Sequence, residues 1–168
     1  MPLGMYDASV TVFTRMLTNL SAMLDKAEAH AEAKKLDPAA LLTARLYPDM
    51  YPLARQVQEA TKHVHWACAL LAGQEMPTLQ NTETGFKELK QRIAKALEFA
   101  RSFKPEQING SEDRKLVIKF PSRTVETKGQ PFLLNMSLPN FYFHVTTAYA
   151  ILRHNGVEIG KRDFLGVS

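Results

Sequence analysis

Residues 7–35 read DASVTVFTRMLTNLSAMLDKAEAHAEAKK, and the spacing of their apolar side chains decides the fold class. Val10, Phe13, Leu17, Leu20, Leu24, Ala27 and Ala31 recur at alternating steps of three and four. With about 3.6 residues per turn, such steps keep the apolar side chains on one stripe of a helix, whereas a half-buried strand needs alternation at every second residue. The spacing predicts a long amphipathic helix from about Asp7 to Lys35, which must bury its stripe against other elements.

The same period returns further along the chain. After a break at Leu36, Asp37 caps a short turn that starts on Pro38, where the missing N–H costs nothing. A Pro-rich entry, Arg45 to Pro52, leads into a second long helix, with Asp49 as its expected cap. Leu53, Val57, Ala60, Val64, Ala67 and Leu71 form its stripe, and Gly73 stops it. Thr82 is the expected cap of a third helix reaching Phe103, with Phe86, Leu89, Ile93, Leu97 and Ala100 on its stripe. The period then drops to two: Leu116, Ile118 and Phe120 alternate with Lys115, Val117 and Lys119, Pro121-Ser122 turns the chain, and Arg123 to Thr127 returns antiparallel. A lone two-stranded hairpin is marginal, so it must pack on a helical face or a partner. Gln130 to Ser137 is expected to be a short crossing helix. Pro139 begins the last long helix, which carries Val145, Ala148 and Leu152 with Phe141 and Tyr149 beside them and ends at Gly156. Ile159, Phe164 and Leu165 in the tail are apolar enough to dock. The expected fold is all-α: an up-down four-helix bundle, helices near 7–35, 50–72, 82–103 and 139–155, with a small β-hairpin inserted before the last. It forms a single domain over 1–168.

Composition bounds the function. A chain of 168 residues buries about 70% of its unfolded surface and needs no disulfide or structural metal to fold. Cys68 is the single cysteine and lies in an apolar helical run; a buried, inert thiol and a reducing compartment follow. Lys+Arg total 21 against Asp+Glu 17, a net charge of +4. The basic residues are scattered and form no stripe interleaved with aromatics, so no nucleic-acid partner is expected. No run approaches the length of a membrane span and the N-terminus lacks the pattern of a signal peptide; a cytoplasmic protein without a membrane partner is expected. Phosphate-binding loops, dinucleotide fingerprints, HExxH and Ser-His-Asp orders are absent.

One polar constellation remains. Asn140 and His144 stand four apart on the last helix and share a face, as do Gln56, Glu59 and His63 along the second. If those helices face one another, two imidazoles and two amides converge on a ligand pocket. His63 and His144 are then candidate ligands for a divalent transition metal such as zinc or nickel, one short of the usual catalytic zinc set, and Glu59 is a third ligand or a base. His65 lies roughly 200 degrees around the helix from His63 and should not join them. The competing reading makes His63 and His144 hydrogen-bonded core residues beside a tyrosine such as Tyr6, Tyr51, Tyr142 or Tyr149. His30 and His154, at helix ends, read as surface residues.

The stretch Asn140-Phe-Tyr-Phe-His144-Val-Thr-Thr-Ala-Tyr-Ala-Ile-Leu-Arg153-His-Asn-Gly156, the opening Met5-Tyr6-Asp7-Ala8-Ser9-Val10 and the segment Leu46-Tyr47-Pro48-Asp49-Met50-Tyr51-Pro52-Leu53 together resemble a bacterial domain family of unknown function of the DUF1993 type. That family is related to the DinB/YfiT-like metalloenzyme superfamily, and the likeness covers nearly the whole chain. The resemblance implies a DinB-like up-down bundle, often a homodimer, in which metal-binding members use one histidine from the second helix and two, four apart, from the last. The pair falls here on Asn140 and His144, and the second-helix position between Gln56 and Glu59, with His63 one turn beyond. This sequence departs from the histidine triad at two of three places. Two function classes follow: a bundle with an altered metal or small-ligand site between its second and last helices, or a non-catalytic interaction module whose hairpin and an apolar helix face make the dimer surface.

Overall fold

The computed structural model describes residues 3–167. The chain enters helix at Met5 and passes through a π-helical turn at Asp7–Thr11 into α1 (Val12–Lys34). The short α2 (Pro38–Leu42) follows, and the Asp37 side chain caps it by accepting from the Ala39 N–H at 2.9 Å. Next come α3 (Leu53–Ala72), α4 (Phe86–Arg101), the single turn α5 (Pro105–Ile108), β1 (Lys115–Phe120) and β2 (Arg123–Lys128). A last composite helix is built of α6 (Gly129–Phe132), a π-helical turn (Leu133–Ser137) and α7 (Leu138–His154), and α8 (Lys161–Leu165) closes the chain.

Two of the helices, α3 and α4, begin later than their sequence signals suggest. Asp49 sits in a turn, and α3 starts after Pro52, whose fixed φ suits the residue ahead of a first turn. Thr82 does not cap α4, which starts at Phe86 behind Gly85. Thr84 is held one turn ahead, its N–H and hydroxyl both donating to Glu88 Oε2. At the far end of α3, Gly73 takes the left-handed conformation (φ 71°) that closes the helix.

The expected crossing helix over residues 130–137 is not a separate element. It runs unbroken into α7, and Pro139 shows how: its ring opposes the carbonyl four residues back and it offers no N–H, so the helix widens just before it. The Leu138 N–H donates to the Leu133 carbonyl, five residues back.

Among the four long helices the order is α1, α4, α3, α7: α1 packs chiefly against α4 and more lightly against α7, and α3 packs against both α7 and α4. A strict up-and-down order would set α1 beside α3 instead. The long connections over 35–52 and 102–128 carry the chain across to the opposite position. Phe13, Leu17, Leu20, Leu24, Leu53, Val57, Val64, Leu89, Ile93, Phe141, Val145 and Leu152 are all fully or almost fully buried between these helices.

The hairpin packs on its own chain. Leu116 and Ile118 are buried within the core cluster, and Phe120 meets the Trp66 ring edge-on at 6.1 Å. The face bearing Leu116 and Ile118 is thus covered by the chain itself, while Val117 on the other face is exposed. Gly129, where β2 turns into helix, lies so close to the Ser111 carbonyl that a Cβ would collide with it. In the tail, Ile159 is buried and Phe164 packs against Tyr149, but Leu165 is exposed.

Candidate metal centre

α3 is buried almost all round, yet Gln56, Gln58, Glu59, Thr61, His63 and His65 are among its buried residues. A buried polar group without a partner costs about 1–3 kcal/mol, so each of these side chains must be met by a neighbour. The helix period sorts them into two clusters, one toward α7 and one toward α4.

Toward α4 the cluster centres on Arg92. Its guanidinium donates to Thr61 Oγ1 at 2.7 Å, to the Gln80 carbonyl at 2.5 Å and to Glu83 Oε1 at 2.8 Å. Gln58 Nε2 donates to the other Glu83 oxygen at 3.0 Å. Burial tends to raise the Glu83 carboxyl pKa, but the hydrogen bonds from Arg92 and Gln58 and the Arg92 charge outweigh it and hold the group below the ordinary value. His65 belongs here: its Nδ1 donates to the Thr61 carbonyl at 2.8 Å, and its ring stacks on Phe99 at 4.7 Å. Sequence reasoning missed this network. The signal was Arg92, which stands three residues after Leu89 and four before Ala96 and so lies on the buried stripe.

Toward α7, Glu59, His63 and His144 come together. One candidate ligand atom from each lies within 4.8 Å of the others, and all three residues are buried. The imidazoles of His63 and His144 are nearly parallel, 5.6 Å apart. Burial lowers both pKa values. It pushes His63 down to about 4, helped by the neighbouring His144, and it outweighs the pull of Glu59 on His144. Both rings are neutral at physiological pH, the form that binds metal.

Each side chain is oriented by a partner or left poised. Gln56 Nε2 donates to the Tyr51 carbonyl at 3.0 Å, which turns its carbonyl oxygen toward α7. That oxygen lies 2.8 Å from His144 Nδ1, so Nδ1 carries the proton and Nε2 keeps its lone pair. The partner of His144 is thus an amide and not one of the tyrosines considered above. His63 Nδ1 is buried without any hydrogen-bond partner. Glu59 is gripped by Arg55 at 2.6 Å on one oxygen and by Lys62 at 3.5 Å on the other, and Arg55 lies over the Tyr51 ring.

Glu59, His63, Asn140 and His144 line a cleft of about 660 Å³ between α3, α7 and the hairpin. Trp66, Leu70, Met76, Phe120 and Met136 supply apolar walls. Asn140 donates to the Met136 carbonyl at 2.6 Å, back along its own helix at the widened turn. Gln56 does not line the cleft, contrary to its expected place among the pocket residues. It lies behind His144 and borders a smaller cavity of about 250 Å³ with Tyr51 and Phe143. It sits there because its amide is used up between the Tyr51 carbonyl and His144 Nδ1.

The donor set is two neutral imidazoles and a carboxylate, with an open cleft on one side. This is the composition of a catalytic zinc site with a free position, and the orphaned His63 Nδ1 marks unused ligand capacity. The residues fit a divalent transition metal.

Comparisons with known proteins agree with this scaffold. Residues 5–165 match the model of a domain family of unknown function, DUF1993. The crystal structure of a DinB family member protein from Shewanella denitrificans is 42% identical, with a TM-score of 0.88; the match covers 97% of this chain and 92% of that one. No curated protein matches.

Proposed function

The chain belongs to the DUF1993 domain family, and on that footing we propose that it is a DinB-like four-helix bundle whose cleft binds a small ligand beside a divalent transition metal, zinc or nickel. The observation that carries the reading is the convergence of Glu59, His63 and His144 at the floor of the cleft. These three residues would hold the ion, which supplies Lewis acidity to a ligand in the open position. The chain's own residues do the rest. Gln56 fixes the His144 tautomer, Arg55 and Lys62 orient the Glu59 carboxylate, and Trp66 and Phe120 keep one side of the cleft dry.

Elemental analysis of protein purified without a histidine tag tests the proposal. It predicts close to one zinc or nickel ion per chain, lost in His63→Ala and His144→Ala but kept in His65→Ala. Metal well below one ion per chain and indifferent to both replacements sinks it.

The reading includes a homodimer in a reducing, cytoplasmic setting, which fits a chain whose one thiol is buried. Tyr51 and Phe143, exposed by 51% and 55%, border the same small cavity, and neighbouring exposed aromatics of this kind suit an interaction surface. Sedimentation of the Tyr51→Ser, Phe143→Ser double variant should show a dimer converted to monomer, and an unchanged mass contradicts this part.

A further inference from the structure

We infer that the cleft takes an amphipathic anion, a small carboxylate with an apolar body, whose charged end is met by Lys119 and Arg123 of the hairpin. The inference rests on the preceding reading of the cleft as the ligand site and adds the chemical class of its occupant.

The charges of the cleft carry it. Its lining holds Lys62, Lys119 and Arg123 against a single acid, Glu59, and both oxygens of that acid are already engaged by Arg55 and Lys62. Some cations elsewhere have acidic partners: Lys26 pairs with Asp163, Lys90 with Asp25 and Glu28, Arg92 with Glu83, and Lys128 with Asp113. Among the described residues, Lys119 and Arg123 form no ion pair. Both stand at the tip of the hairpin, on opposite strands: Arg123 pairs in register with Phe120 and shares its face, while Lys119 pairs with Thr124 on the other face and reaches the cleft from the rim. The Arg123 guanidinium lies 5.7 Å from the centre of the Phe120 ring, and that ring forms part of the cleft wall.

Beside His63, Asn140 and His144 the lining has an apolar part: Trp66, Leu70, Met76, Phe120 and Met136 offer surface for a hydrocarbon or aromatic body. The volume, about 660 Å³, is that of a small-molecule pocket. Two unpaired cations beside an apolar wall select by sign, because a cationic or neutral ligand of the same shape gains the wall but not the charges.

Trp66 is the single tryptophan of the chain and lies in the cleft wall, so its fluorescence reports occupancy directly. The test titrates sodium octanoate, octylammonium chloride and 1-octanol into metal-stripped and zinc-loaded protein. It repeats the series on Lys119→Gln, Arg123→Gln, a double variant at exposed positions. Octanoate should saturate the signal in both metal states, more weakly as salt is added, and the other two compounds should bind less well. The double variant should lose about fivefold in octanoate affinity, the scale of an exposed ion pair, with its zinc stoichiometry unchanged. Equal binding of all three compounds, or full octanoate affinity in the double variant, overturns the inference. Octanoate binding that requires zinc and ignores the hairpin charges also overturns it while leaving the metal reading intact. Sign-selective octanoate binding by a protein that takes up no zinc supports it and removes the metal reading.

Discussion

Gln56 never touches the cleft, yet it decides which nitrogen of His144 faces it. Its amide spans from the Tyr51 carbonyl to His144 Nδ1, so the imidazole has one tautomer and one orientation. Partners of this kind typically change metal affinity by about 10–100-fold. Gln56→Leu should therefore weaken zinc binding by about that factor in a chelator competition while the far-ultraviolet spectrum stays native. An unchanged affinity would mean that the amide only fills space. Much of this chemistry was legible one residue at a time. Periodicity puts Glu59 and His63 on one face of α3, sets His65 apart from them and gives His144 a place on one face of the last helix; that the two faces meet is a finding of the structure. The sequence could not show that Gln56 acts through His144 rather than on a ligand. That role depends on a backbone carbonyl at Tyr51, and a carbonyl has no side-chain signature.

At the scale of the element, α3 is the axis of the molecule. It is buried on nearly every side and supports a polar cluster on each of two faces, so two sets of partners must be in place before it packs. The Arg92 cluster ties α3 to α4 and to the loop ahead of α4 through the Gln80 carbonyl and Glu83. Breaking a buried charge pair from one side costs about 3–5 kcal/mol. Arg92→Leu should destabilise the fold toward the lower end of that range, because Glu83 keeps partial access to water, and urea unfolding measures it. A loss below about 1 kcal/mol, the scale of an exposed ion pair, would show the cluster to be marginal. The elements themselves were largely readable, since four long amphipathic patterns and one alternating pair leave few options. Their starts were not, because Thr82 and Asp49 have the chemistry of caps while the backbone enters helix at Phe86 and Leu53. Nor was the continuity through Pro139. Proline normally opens or breaks a helix, and here a widened turn absorbs it.

For the whole molecule, buried histidines make stability depend on pH in one direction. The pKa values of His63, His65 and His144 are lowered in the fold, mainly by burial, so between the folded and unfolded values the unfolded chain binds more protons. Their contribution is complete above about 6.5, the ordinary imidazole value, and is lost as pH falls through the folded values, for His63 about 4. Glu83, held low, adds a further loss at the acid end of that range. The melting temperature of the metal-free protein should fall steadily from pH 7 to about pH 4, and a flat or rising profile would contradict the placement of these rings. The order of the helices around the interior, by contrast, was not in the sequence. It follows from how the long connections cross the molecule, and periodicity within a helix carries no record of which neighbour it meets.

Glu59, His63 and His144 are proposed to form one metal site in the cleft. X-ray absorption at the metal edge, on protein loaded with one equivalent of zinc, tests it most directly. The expected spectrum carries the scattering signature of two imidazoles with oxygen ligands completing the shell, and His144→Ala, which no longer retains the ion, loses that signature. A shell without imidazole, or one that His144→Ala leaves unchanged, would contradict it.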